Sequence, residues 1–215
     1  MTSLSPTDFA SLLCSRLCHD LLSPVGALNN GLELLADEQD PDMRARCLEL
    51  LSESARASAN KLKFFRLAFG AAGGFGETVD TREAQVAIAG LFADNQRLEF
   101  GWMVEAPALP KPAIKVLLNL ALIGGDALIR GGRLDIGAEE NDGVVEMVVR
   151  AEGQRIVLDA ELRRALAGET GSGEVTPRAA AAVLVAELVA QHGGGVNISE
   201  PDEPVLVFGA EMRTG

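Results

Sequence analysis

The stretch Cys14 to Leu35, CSRLCHDLLSPVGALNNGLELL, constrains the fold more than any other part of the chain. Apolar side chains recur at Cys14, Cys18, Leu21, Val25, Leu28, Leu32 and Leu35, with gaps alternating between four and three. A helix gathers such positions into one narrow seam, the pattern of an element that packs lengthwise against other helices. His19 falls outside the seam. At about 100° per residue it lies roughly 150° from the seam's centre, so the helix carries its imidazole on the open face. Asp20 follows at once, and Pro24 lies five residues on. An exposed imidazole beside a carboxylate is poorly explained as packing and well suited to chemistry.

The helix start is written in the sequence: Ser5 as N-cap, Pro6 as the first helical residue and Asp8 in a capping-box-like position. The pattern runs to about Asp37. Pro24 inside it removes one backbone hydrogen bond and frees the Asp20 carbonyl, which predicts a bend just after the histidine. An acidic turn follows, and Asp40 with Pro41 opens a second helix whose apolar positions include Met43, Cys47, Leu50, Leu51, Ala55, Leu62, Phe65 and Phe69. Two long helices joined by a short loop make an antiparallel hairpin. Two helices cannot enclose both of their seams, so a second copy is the expected cover, giving a dimeric four-helix bundle. In this hairpin His19 stands at about the height of Ser58 to Lys61.

The glycine-rich segment Gly70 to Glu77 marks the expected boundary, with a hairpin domain over 1–70, a linker over 71–77 and a second domain over 78–215. Beyond it the texture becomes α/β. The pattern predicts a short strand near Val79, a helix from about Arg82 to Asp94, a strand Arg97–Val104 and a long apolar helix from about Pro112 to Arg130. Strands Gly132–Ala138 and Val144–Ala151 flank the tight turn Asn141-Asp142-Gly143. A short helix Asp159–Ala167, a GETGSGE loop, a helix from Pro177 to His192 and strands Val196–Ser199 and Val205–Met212 complete the chain. Helices on one face of a mixed sheet make a two-layer sandwich.

The formal charge of −12 over 215 residues is a poor match for nucleic acid, because phosphate contacts need clustered cations. The first 69 residues hold seven Lys/Arg against nine Asp/Glu, and the rest hold twelve against twenty-two. Arg44, Arg46, Arg56, Lys61, Lys63 and Arg66 gather on the second helix and favour an acidic protein partner. No apolar run is long enough to cross a membrane, and the N-terminus lacks a signal peptide's basic head, so a cytoplasmic protein is expected. The three cysteines, Cys14, Cys18 and Cys47, sit at seam positions and read as buried thiols in a reducing compartment. The Cys14-x3-Cys18-His19 run has a spacer one residue too long for haem attachment.

In order, these parts resemble the core of the sensor histidine kinase family, a phosphotransfer hairpin followed by a Bergerat-type ATPase domain. His19-Asp20-Leu21-Leu22-Ser23-Pro24-Val25 is similar to the family's H-box, and His192-Gly193-Gly194 to the HGG that closes its last helix. The nucleotide motifs depart from the pattern. Where the N-box places a metal-binding asparagine, the run Asn119 to Ala127 has Ile123. Ala151 stands where the family's adenine-reading Asp belongs, and Arg155 replaces a glycine. Ala179-Ala180-Ala181 fall where a glycine box cradles phosphates. The resemblance therefore implies a histidine phosphotransferase that binds no ATP.

It further implies a homodimer taking a phosphoryl group onto His19 from the receiver of a hybrid kinase of the CckA kind. Response regulators of the CtrA and CpdR kinds would receive it. Mg²⁺ is expected on the partner receiver, and no cofactor or metal on this chain. Asp20 is the expected catalytic companion. Leu12, Ser15, Arg16, Leu22, Ser23, Gly26, Asn30 and Lys61 are the expected partner-binding residues, with Arg16 and Lys61 steering an acidic partner. His192 is expected to cap or fill a helix end. An active ATP-dependent kinase core and a non-catalytic dimerisation or docking scaffold are the competing readings.

Overall fold

The computed structural model describes residues 4–70, 77–169, 175–201 and 203–214. Helix α1 spans Pro6–Asp37, with Ser5 as N-cap accepting from the Asp8 amide, and is continuous across Pro24. Helix α2 spans Pro41–Ala68, with the Asp40 carboxylate accepting from the amides of Asp42 and Met43. The two pack side by side as the predicted hairpin. Their contact face is shifted from the predicted seam. Pro24 and Gly31 are the buried residues of α1, whereas Cys14, Cys18, Val25 and Leu32 are exposed. Gly31 explains part of the shift: a Cβ there would stand 2.9 Å from Cδ2 of Leu51, so the missing side chain is where the other helix enters. Of the thiols read as buried, only Cys47 is.

The sandwich begins with β1 (Thr78–Asp80), α3 (Thr81–Leu91), β2 (Leu98–Val104), β3 (Ala108–Pro110) and α4 (Lys111–Ala127). It continues with β4 (Gly132–Asn141), β5 (Val144–Glu152), α5 (Ala160–Leu166), a single 3-10 turn Pro177–Ala179, α6 (Ala180–Gln191), β6 (Gly195–Ile198) and β7 (Val205–Arg213). The main sheet has the order β2-β4-β5-β7-β6, with β2 and β4 parallel and the other pairs antiparallel. The β4–β5 connection turns through Asp142 at φ 50° and Gly143 at φ 77°, the left-handed pair that a two-residue hairpin needs. Inward residues alternate with exposed ones along β5 and β7, as expected for a sheet covered on one face. Helices α4 and α6 supply that cover over Leu134, Ile136, Met147, Val149 and Phe208. This is the two-layer α/β sandwich expected from the sequence.

Strand β3 was not expected from the sequence. It is three residues long, ends in proline, and exists only as the antiparallel partner of β1. The expected linker falls mostly outside the described residues, as does 170–174 of the expected glycine-rich loop. Hairpin and sandwich nevertheless share a core. Phe64, Phe65, Leu67 and Ala68 at the end of α2 are buried with residues of α3 and α4, and the Asn119 side-chain amide of α4 donates to the Ala68 carbonyl at 3.2 Å. Phe9 and Leu17 of α1 pack against the same cluster.

Candidate functional site

The His19 side chain is 85 % exposed. Its Nδ1 lies 3.1 Å from Oδ1 of Asp20. Consecutive helical residues point about 100° apart, so helical spacing alone does not bring these two groups together. Asp20 is held from its other oxygen: Oδ2 accepts from Nε of Arg16 at 2.7 Å, one turn back on α1. The same guanidinium donates through Nη2 to Oδ2 of Asp126, at 2.9 Å, in the last turn of α4. A connected path of four side chains therefore runs Asp126, Arg16, Asp20, His19 and joins the sandwich to the hairpin.

Electrostatics favour this arrangement. The Arg16 side chain is only 11 % exposed and that of Asp20 only 17 %. Burial works against the charge on Arg16, but Asp126 first and Asp20 second more than offset it, and the pKa lies above the usual arginine value. A buried cation with two charge-assisted bonds is a stable arrangement, and losing a partner is costly.

Pro24 has a second effect on Asp20. Lacking an N–H, it leaves the carbonyl four residues back without its helical donor. Nζ of Lys61 donates to that carbonyl at 2.8 Å. An ammonium from α2 thus replaces the amide that proline removed, and the buried-side backbone acceptor is satisfied. Side chain and main chain of Asp20 are both fixed, one from α1 and α4, the other from α2.

The chemical consequence lies at the ring. An ionised carboxylate only accepts, so the partner of Nδ1 assigns the neutral imidazole's proton to that nitrogen. Nε2 keeps its lone pair on an exposed ring. This is the arrangement of an oriented nucleophile.

Around His19, Ser15, Ser23 and Asn30 are exposed, Leu22 is 71 % exposed, and Leu12 is half-buried. A Cβ at Gly26 would meet nothing within 4 Å, so the surface beside the ring is low and open. Arg16 and Lys61, expected to steer a partner, are instead committed within the chain. Arg44 donates to the carbonyls of Leu35 and Glu38 at the end of α1, and Arg66 pairs with Glu83 at 2.8 Å. Arg46, Arg56 and Lys63 remain exposed.

In the sandwich, Ile123 and Ala151 are buried in the core, as are Ala179, Ala180 and Ala181. None has a side-chain oxygen to ligate a metal or a side-chain acceptor for an adenine amine. His192 caps α6, its Nδ1 within 2.8 Å of the Leu188 carbonyl. Among the described residues no cluster of His, Cys, Asp or Glu could hold a metal ion, and no helix is long and apolar enough to cross a membrane.

Asp126 is the site residue that sequence reasoning missed. Its only local sign is a lone carboxylate at the end of an apolar helix, and its partner is 110 positions away.

Comparison with known proteins points the same way as this geometry. A family model described as the histidine phosphotransferase C-terminal domain matches residues 81–204. The chain is 37 % identical over 209 residues to the protein phosphotransferase ChpT of Brucella abortus (strain 2308), covering 97 % of this chain and 98 % of that one. A solved bacterial phosphotransferase superposes with a TM-score of 0.85 at 34 % identity, covering 97 % of this chain and 98 % of the other.

Proposed function

Because the chain belongs to the histidine phosphotransferase family and is a protein phosphotransferase of a phosphorelay, we propose that His19 is the residue that carries the phosphoryl group and Asp20 the residue that readies it. The exposed ring with Nδ1 on the Asp20 carboxylate is the observation that carries this reading.

Phosphoryl transfer asks for in-line positioning and charge stabilisation. The Nε2 lone pair attacks phosphorus of the receiver's aspartyl phosphate, the bond from phosphorus to the aspartyl oxygen breaks, and the receiver regains its carboxylate. Positive charge then develops on the imidazole. The Nδ1–H bond to Asp20 becomes charge-assisted at that point, an interaction of about 1.5–3 kcal/mol, or roughly 10- to 150-fold in rate. The reverse sequence delivers the group to a regulator's aspartate. Mg²⁺ enters with the partner receiver's acidic pocket, not with this chain.

The partners are the receiver of a CckA-like hybrid kinase and CtrA-like and CpdR-like regulators. Leu22 and the low surface at Gly26 form the apolar part of the docking face, with Ser15, Ser23 and Asn30 at its edge. A homodimer supplies the missing cover of the hairpin: Val25 and Leu32 on α1, and Leu48 and Leu62 on α2, are exposed large hydrophobics. Each pair is spaced by whole heptads, the requirement for a bundle seam. The sandwich takes no ATP, a reading supported by the aliphatic residues packed at its former ligand positions. The protein acts in the cytoplasm.

The test is a reconstituted relay with a labelled phosphorylated receiver, this chain and a downstream regulator. Wild type should acquire an acid-labile label and pass it on, and His19→Ala should do neither. Labelling by ATP alone would favour a kinase, and undiminished phosphate flow through His19→Ala would favour a scaffold.

A further inference from the structure

The path from α4 to the imidazole has a consequence for how the two halves of the molecule work together. We propose that Asp126, on the sandwich, is a positioning residue for phosphoryl transfer: through Arg16 it sets which oxygen of Asp20 faces His19. This inference rests on the reading of His19 as the phosphoryl carrier and deepens it.

The geometry supports a directed role. Arg16 presents two different nitrogens to its two carboxylates, Nε to Asp20 at 2.7 Å and Nη2 to Asp126 at 2.9 Å. A guanidinium is a planar fork, so anchoring one edge fixes the direction of the other. With Nη2 held by α4, Nε is aimed at Oδ2 of Asp20, and Oδ1 is left for Nδ1 of His19. Without that anchor the long side chain regains its torsions and can bind either oxygen of Asp20, or both. The Asp20 carboxylate would then turn away from the ring, because adjacent helical residues do not face each other unaided. Of the two carboxylates, Asp126 also does more to keep the buried guanidinium charged.

The role fits where the sandwich sits. The Asn119 amide of α4 donates to the last turn of α2, and Arg16 of α1 reaches the far end of the same helix. Helix α4 therefore touches both helices of the hairpin through polar contacts, at residues 119 and 126. The sandwich thereby serves as the outer support of the reacting histidine.

The experiment uses the full-length protein labelled with ¹⁵N at histidine. Imidazole nitrogen resonances report the His19 tautomer, and uptake from a phosphorylated receiver is measured across receiver concentrations. Wild type is expected to hold the Nδ1–H tautomer. Asp126→Asn should yield a mixture with Nε2–H and lower kcat roughly 10-fold, the scale for losing a group that orients a reactive histidine, with KM little changed. Asp126→Glu should recover part of both signals. Arg16→Lys, whose single ammonium cannot serve two carboxylates in fixed directions, should repeat the Asn phenotype and stands in should Asp126→Asn fail to fold. Glu105→Gln, an exposed carboxylate on the same domain, should match wild type. A wild-type tautomer and kcat in Asp126→Asn, or in Arg16→Lys where that variant stands in, would overturn the proposal. So would a change confined to KM, which would make Asp126 a docking residue. If His19→Ala still acquires label, the carrier assignment itself falls. If His19→Ala is inert and Asp126→Asn is normal, only the positioning role falls.

Discussion

Helices α1 and α4 are both rich in apolar residues, and they use them in opposite ways. Two of the 32 residues of α1 are buried, Pro24 and Gly31, against 13 of the 17 residues of α4. An all-round apolar helix has its partners within its own domain, whereas a striped helix with an uncovered stripe has them elsewhere. The difference separates two tasks. Helix α4 stabilises the sandwich and carries in its last turn Asp126, which reaches Arg16 of α1. Helix α1 leaves His19 and the large apolar side chains Leu22, Val25, Leu32 and Leu34 exposed. Helix α4 is sealed in the core, and the His19 ring on α1 stands exposed.

The largest effect is expected in stability. Leu117→Ala, in the sealed part of α4, should cost about 3 kcal/mol in urea unfolding through lost contacts and a residual cavity. A Leu117→Ala protein as stable as wild type would mean that α4 is not the core element described.

Assembly gives the next largest effect. Placing Asp at both Val25 and Leu32 should weaken self-association by roughly 100-fold or more, corresponding to about 2.7 kcal/mol. Sedimentation at micromolar concentration should find monomers with unchanged near-ultraviolet circular dichroism. An intact dimer would put the interface on another face.

The smallest effect sharpens the boundary between the two regions. Lys61→Met retains the aliphatic stem but leaves the Asp20 carbonyl without its donor, a loss of about 1–2 kcal/mol, with slower phosphoryl uptake as Asp20 loosens. Unchanged stability and rate would show that water replaces the ammonium without penalty.

Much of this molecule was legible locally. Ser5 and Asp8 at the start of α1, Asp40 at the start of α2 and the Asn141-Asp142-Gly143 turn act within four residues of their targets, so the sequence states them directly. The contact of α1 with α2 is centred off the predicted seam for a physical reason. Hydrophobic periodicity does not tell which of its positions meet α2 and which stay uncovered in the single chain, as Val25 and Leu32 do, and it gives no weight to Gly31. Yet it is the absence of a side chain there that admits Leu51. Strand β3 is too short to show alternation, and only its pairing with β1 makes it a strand.

The sequence by itself determined that an imidazole, a carboxylate and a proline would share one helix with the ring outward, because helical spacing is a local rule. It also determined the order of the elements in the sandwich other than β3. Only the tertiary structure decided how Asp20 is aimed. Two carboxylates share Arg16 because packing brings the end of α4 beside α1, and an ion pair across 110 positions leaves no periodic trace in the chain. Lys61 was likewise readable as a surface cation, and became a structural donor once α2 lay against the carbonyl that Pro24 had left open.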